Sequence, residues 1–348
     1  MTTPSAMAFF SPEADPSLVA MPKCNLHTHL EGSIRPETVW ELAQNQGINL
    51  GIPIEAVRPA VEITGSERSL VDYLNKISFT YQVLKDAEAL RRTAFEAAED
   101  AARDGVIYFE LRAGPVTHSR PGLSIAEIIE CWLQGLRQAE EAHKMTCRLI
   151  ICALREHSPE VNLQLAHTAV DFKNQGVVGF DLAGGEVAGD MAQFAEVFRV
   201  AREGGLGITV HAGEAAGPEN VQYAVEELKA SRIGHGVRSI TSPEVLALLR
   251  ERGILLEVCP TSNIHTQAVN RINQHPVRRL YEQEIPISIG DDDPVTSRTR
   301  VSNELTLLQQ QFGFNRHELQ HIQTMSIDAA FLPDSTLQQE LRRKIENS

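Results

Sequence analysis

No two of the five cysteines in this 348-residue chain are spaced as CxxC. Cys24, Cys131, Cys147, Cys152 and Cys259 are odd in number and scattered. A disulfide framework or a thiolate metal site is therefore not expected. The thiols read as small buried hydrophobes of a reduced, cytoplasmic protein. Basic clusters are missing too: 32 Lys and Arg against 46 Asp and Glu leave a formal charge of −14. That balance excludes an electrostatic grip on a nucleic-acid backbone and docking on an anionic membrane. No window of about 18 apolar residues is present, so no spanning helix is expected. Residues 1–22 lack Lys and Arg, and Glu13 and Asp15 interrupt their one apolar stretch, which argues against a signal peptide. Residues 1–20 are expected to form a loose arm, and residues 21–348, with no Pro/Gly/Ser linker, one domain.

What the chain does have is rhythm. Eight short β-rich runs recur: Lys23–Leu30, Val106–Ala113, Thr146–Leu154, Val177–Leu182, Gly207–His211, Ile233–Val237, Ile254–Cys259 and Ile285–Ile289. Between them lie helical patterns such as Thr93–Arg103 and Ser124–Ala142, with apolar residues three and four apart. Pro36 stands where a first helical turn tolerates proline, with Glu37 at the positive end of the dipole. Alternation of this kind implies a parallel sheet, and eight repeats imply a closed (β/α)8 barrel. An open doubly wound sheet competes, but its first strand often leads into a glycine fingerprint; here it ends in His-Thr-His. Residues 45–95 are too long for one crossover and predict an inserted helical lid between strands 1 and 2.

Active sites of such barrels sit at the C-terminal ends of the strands. His27 and His29 end one run, His211 another, and Asp292 and Asp293 follow a third, while His235 sits in Arg232–Val237. Residues i and i+2 of a strand point the same way, so His27 and His29 can share one metal, with His211 as a third nitrogen ligand. Within Asp291-Asp292-Asp293, packing of Ile285, Ile287 and Ile289 outward turns Ser288, Gly290 and Asp292 inward, which selects Asp292 as the oxygen ligand. Three imidazoles and a carboxylate suit a water-activating zinc. Glu214 is placed to move a proton. His235 is placed to orient or deprotonate the water, and Asp293 to hold the water or a substrate nitrogen. No lysine ends the fourth run, Phe180–Glu186, which favours one metal ion over a bridged pair. A rival metal site is His317-Glu318-Leu-Gln-His321, which matches the helical protease pattern HExxH. It opens on Asn315, a good helix cap, and reads as an exposed outer helix. A protease reading leaves His27, His29, His211 and Asp292 without a role.

Together these motifs resemble the adenosine deaminase family over about residues 20–335. The resemblance rests on Pro22–Gly32 (PKCNLHTHLEG), Phe180–Gly184 (FDLAG), Val210–Glu214 (VHAGE), Arg232–Gly236 (RIGHG), Glu257–Asn263 (EVCPTSN) and Asp292–Pro294 (DDP), with His211–Asn220 most like bacterial members. It implies one Zn2+ per chain on His27, His29, His211 and Asp292. It implies Glu214 as proton donor to a purine ring nitrogen, His235 assisting the water, and Asp293 at the water or purine. The backbone N–H of Gly184 would meet another ring nitrogen, and Tyr73, Leu74 and Ile77 would cover the ribose. The implied reaction converts adenosine or 2′-deoxyadenosine to the inosine form, and the implied partner is a small purine nucleoside. Two positions depart from the usual pattern: Glu31 stands where Asp is common beside the sugar's 5′ end, and Gly185 where Asp is common after Gly184. They leave open a 5′-modified adenosine such as aminodeoxyfutalosine, adenine, or an N6-substituted purine. The base-deaminase signature H-x-E…P-C-x-x-C is absent.

Overall fold

A computed structural model describes residues 9–67, 70–187 and 189–348. Eight parallel strands run in chain order around one sheet: β1 (Lys23–His29), β2 (Val106–Ala113), β3 (Thr146–Leu154), β4 (Val177–Ala183), β5 (Gly207–Ala212), β6 (Arg232–His235), β7 (Leu255–Val258) and β8 (Ile287–Ile289). The ring closes just above β8. Asp292 N–H donates to the His27 carbonyl at 2.9 Å, and His29 N–H to the Asp292 carbonyl at 2.7 Å. The expected (β/α)8 barrel is thus present, sealed by the backbone of residues foreseen as metal ligands. β6 stops at His235 rather than at 237, because His235 (φ 60°) and Gly236 (φ 66°) both turn left-handed.

Alternation along each strand divides the side chains between two environments. Outward residues such as Val210, Ile233, Leu256, Ile287 and Ile289 join one apolar core beneath the helices. Inward positions are polar to an unusual degree: Glu110, Arg112, Asp181, Arg232 and Glu257 are all fully buried. Capping fixes the surrounding helices. Asp86 accepts from Ala89 N–H at the start of Ala87–Arg103, and Ser124 with Glu127 forms a capping box at the start of Ile125–His143.

The lower end of the barrel is plugged by Phe331. A Cβ on Gly207 or Gly179 would lie 2.3 or 2.7 Å from its ring, so both positions must be bare. Arg232 stacks on the ring, its guanidinium carbon 3.6 Å from the centroid.

Of the arm expected over 1–20, residues 1–8 lie outside the described residues. Residues 9–20 are fastened rather than loose: the Phe9 carbonyl meets His265 Nε2 at 2.9 Å, Asn303 donates to the Pro12 carbonyl at 2.7 Å, and Leu18 is buried. The segment between β1 and β2 carries the helices Val57–Val61 and Leu70–Thr80. Among the described residues, no helix is long and apolar enough to cross a membrane.

Candidate active site and metal centre

The ends of β1, β5, β6 and β8 converge at the upper rim. His27 Nε2 and His29 Nε2 lie 3.3 and 3.4 Å from Asp292 Oδ1, and His29 Nε2 lies 3.2 Å from His211 Nε2. A regular tetrahedron with edges of that length has its centre about 2.0 Å from each corner, the length of Zn–N and Zn–O bonds. His27 Nε2 is buried and has no hydrogen-bond partner, which a buried polar atom rarely tolerates. His27 Nδ1–H is taken by Glu257 Oε2 at 2.8 Å and His211 Nδ1–H by Asp181 at 3.0 Å, so each ring turns a lone pair to the centre. The donor set therefore fits a divalent transition metal.

A fifth ligand-type side chain stands close by. His27, His211, His235 and Asp292 also offer atoms within 4.8 Å of one another. His235 is nevertheless the more remote histidine: its Nε2 lies 3.9 Å from the other oxygen of Asp292 and 3.6 Å from Glu214 Oε2. The tighter 3.2–3.4 Å separations favour His29 as the ligand and His235 as its neighbour. Asn263 holds His235 Nδ1 at 3.1 Å. Both His235 (φ 60°) and Asp292 (φ 59°) sit in left-handed backbone, a cost of about 1–3 kcal/mol each that recurs where a site fixes its side chains. Ser262 donates to Asp292 Oδ2 at 2.6 Å and leaves Oδ1 for the centre. Thr266 donates to Glu214 Oε1 at 2.7 Å.

Electrostatics separates the groups. Burial lowers His235 and, more strongly, His29, so both favour the neutral imidazole. Burial would raise Asp292, but the histidines gathered around it, His27 foremost, hold it well below the carboxylate range. Asp293 goes the other way: burial and the Asp292 charge push it well above. Asp293 Oδ2 accepts from the Tyr73 hydroxyl at 3.0 Å, and its carboxylate fills the space where Gly32 has no side chain.

Beneath the centre lies a charge network that the sequence reading had not given a role. Arg112 donates to Asp181 at 2.9 Å and to Glu257 at 2.6 Å, and Arg232 lies 2.7 Å from Glu257 and 2.6 Å from Glu110. Two arginines between three carboxylates offset the cost of burying any one of them. The available signal was a charged residue at an inward position of an apolar strand, as in Leu255-Leu256-Glu257-Val258.

The foreseen substrate contacts are spread around the rim. Glu31 Oε1 meets His118 Nε2 at 3.1 Å. Gly184 turns with φ 89°, and Glu156 accepts from the adjacent Gly185 N–H at 2.7 Å. Tyr73 is buried and clusters with Ile63 and Ile77, whereas Leu74 is 49% exposed. His317 and His321 lie outside, exposed on the helix Arg316–Asp328. Glu318 is committed to capping Asn315 and to Arg278 at 2.9 Å, so the HExxH match is a surface helix and not a protease site.

Comparison with known proteins agrees with this geometry. The family model described as "Adenosine deaminase" matches residues 22–348. An adenosine deaminase of Clostridium perfringens (strain 13 / Type A) is 36% identical over 333 residues, which is 95% of this chain and 99% of that protein. Among solved structures, an adenine deaminase of Arthrobacter aurescens superposes with a TM-score of 0.87 at 26% identity, covering 94% of this chain and 99% of that one. The N6-methyl-AMP deaminase of Arabidopsis thaliana superposes with a TM-score of 0.84 at 30% identity, covering 95% and 98%. With a family match across nearly the whole barrel and a rim that can hold a metal ion, the chain belongs to the adenosine deaminase family.

Proposed function

We propose that the protein hydrolyses adenosine and 2′-deoxyadenosine to inosine and 2′-deoxyinosine with release of ammonia. The observation that carries the reading is the meeting of His27 and His29 Nε2 with Asp292 Oδ1 at 3.3 and 3.4 Å and of His29 Nε2 with His211 Nε2 at 3.2 Å, with Glu214 and His235 alongside. His27, His29, His211 and Asp292 would hold one Zn2+. A zinc ion there lowers the pKa of its water from 15.7 to about 7 and so supplies a nucleophile at neutral pH.

The chain's own residues do the rest. His235, neutral by burial and with its Nδ1 accepting from Asn263, keeps its proton on Nε2 and orients the attacking water, which passes its first proton to Glu214. Glu214 delivers a proton to the ring nitrogen beside C6 as the C6–O bond forms. The second water proton goes to the amino group, the C6–N bond breaks and ammonia leaves; the ring nitrogen keeps its hydrogen in the product. Asp293, favoured as the neutral acid, donates to the water or a purine nitrogen. Gly184 N–H meets another ring nitrogen, Tyr73 and Ile77 close over the sugar with Leu74 at their edge, and Glu31 faces its 5′ end.

The sugar end of the rim favours a neutral nucleoside over a nucleotide. Burial and then the charges of Glu31 and Glu156 push the Tyr81 phenol up, which puts two carboxylates near that region. Arg155 is already taken by Asp190 at 3.1 Å and by the His211 carbonyl at 2.8 Å. A 5′-phosphate would bring about −1.5 to −2 further charge into this field. Adenine and 5′-modified or N6-substituted adenosines remain alternatives, because Glu31 and Gly185 depart from the usual pattern. The five unpaired buried cysteines support a cytoplasmic location.

Ammonia release from adenosine, deoxyadenosine, adenine, AMP and 5′- and N6-modified adenosines, with metal content measured on the same sample, tests the reading. Adenosine and deoxyadenosine are expected to turn over fastest, with about one zinc per chain. Full turnover after thorough metal stripping would exclude it.

A further inference from the structure

The loop that carries Glu214 is gripped by another carboxylate. Glu186, three residues beyond β4, reaches across to the exit of β5. Its Oε1 accepts from the Gly213 N–H at 2.7 Å and from Asn220 Nδ2 at 3.0 Å. Its Oε2 accepts from the backbone N–H groups of Glu214 at 3.0 Å, Ala215 at 2.7 Å and Ala216 at 2.9 Å. Four consecutive N–H groups thus wrap around one carboxylate, as backbone nests wrap around anions. The turn begins at Gly213 (φ 70°), where a Cβ would press on Val221 at 2.6 Å. Burial would raise Glu186, but these donors hold it below its usual value, as expected of a carboxylate satisfied by N–H groups.

The consequence falls on the proton-transfer group. Thr266 fixes one oxygen of Glu214, and the other lies 3.6 Å from His235 Nε2. The Thr266 bond orients the carboxylate only if the backbone beneath it stays in place. That backbone belongs to a loop with the exposed Ala215 in it, and Glu186 is the group that ties all four of its N–H donors. We propose that Glu186 is a positioning residue for catalysis: by gripping residues 213–216 it sets the place of the Glu214 carboxylate without itself touching the substrate. This rests on the proton-transfer role assigned to Glu214 above. A misplacement of about 1 Å at such a group costs on the order of 10²-fold in rate.

Glu186→Gln puts an amide NH2 where one acceptor oxygen stood, facing N–H donors. Glu186→Asp keeps the charge but draws the oxygens back by about one C–C bond, 1.5 Å. Each variant is to be made in the native chain and in Glu214→Gln, and read at high enzyme concentration. The expected result is a kcat lower by about 10- to 100-fold with KM within about threefold and an unchanged metal-to-protein ratio. In the Glu214→Gln background the same changes are expected to cost little more, because the group they position is already gone. Equal losses in both backgrounds, or loss of metal alongside activity, would make Glu186 a structural strut and overturn the proposal. So would native kcat in both variants. Full turnover in Glu214→Gln alone would instead remove Glu214 from the chemistry, a failure of the functional reading that the single variant reports by itself.

Discussion

At position 32 a missing side chain is a requirement of the site. A Cβ on Gly32 would lie 1.9 Å from Asp293 Oδ1, and the Gly32 carbonyl accepts from Val295 N–H at 2.9 Å. Neither strand end can retreat without disturbing Asp292, whose backbone closes the barrel. Gly32→Ala is therefore expected to lower kcat by about 10²-fold through displacement of Asp293, checked by steady-state kinetics on protein of known metal content. Asp181 acts at the same scale but through His211. It takes the Nδ1 proton of that ring and is itself held by Arg112. Asp181→Asn is expected to weaken metal binding by about 10- to 100-fold, measured by competition with a chelator; unchanged affinity would show that the ring orients without it. The candidate ligands at positions 27, 29, 211 and 292 were legible in the sequence because strand alternation fixes which way a residue faces. The same alternation set His29 beside His27 and left His235 to the water, and His235 Nε2 lies at the longer distance, 3.9 Å, from Asp292.

At the scale of elements, the strands were easier to read than what fills them. Apolar runs of five to nine residues announce strands, and seven of the eight observed strands begin within one residue of where the pattern put them; β8 begins two later, at Ile287. The contents of the barrel were hidden. Glu110, Arg112, Asp181, Arg232 and Glu257 would each be costly to bury alone, and only their mutual pairing makes the interior possible. The plug at the lower end is a second such element. Phe331 enters from the C-terminal region and needs the bare backbones of β4 and β5. Gly207→Ala is expected to cost about 1–3 kcal/mol by overpacking, seen as a lower urea midpoint with an unchanged slope. The segment between β1 and β2 was foreseen as an insertion, but the inward turn of Tyr73 toward Asp293 and the exposure of Leu74 follow from where that helix lies on the rim.

For the whole molecule, stability is tied to metal and to pH. The rim gathers imidazoles and a carboxylate that gain from a cation when folded and are dispersed when unfolded. A ligand bound only by the native state adds about 2.7 kcal/mol at a hundred times its Kd. Removing the proposed zinc is expected to lower Tm by several degrees in a titratable way, followed by calorimetry of stripped and reloaded protein. Glu304 links the fold to pH. Burial raises it to about 7, although Thr299 and the Thr261 N–H donate to it at 2.5 and 3.1 Å. The native state therefore holds a proton that the unfolded chain, with an ordinary carboxyl near 4.3, releases earlier. Between those values the native state binds more protons than the unfolded one, so stability falls as pH rises. Its contribution is fully present below about 4.3 and is lost as pH passes about 7. Glu304→Gln mimics the protonated form and is expected to gain about 3 kcal/mol over the native chain between pH 5 and pH 8 in denaturant titrations; parallel curves would sink the assignment.

The sequence by itself determined the number and order of strands, the face each residue turns to, and the chemistry waiting at their ends. These follow from periods of two and 3.6 residues, which are local properties of the chain. Only the tertiary structure decided which of those ends meet. His27 finds Glu257 230 positions away, and Asp292 seals the ring against His27 and His29. Such pairings are set by barrel closure and by the need of buried charges for partners, and neither is written in any single stretch of chain.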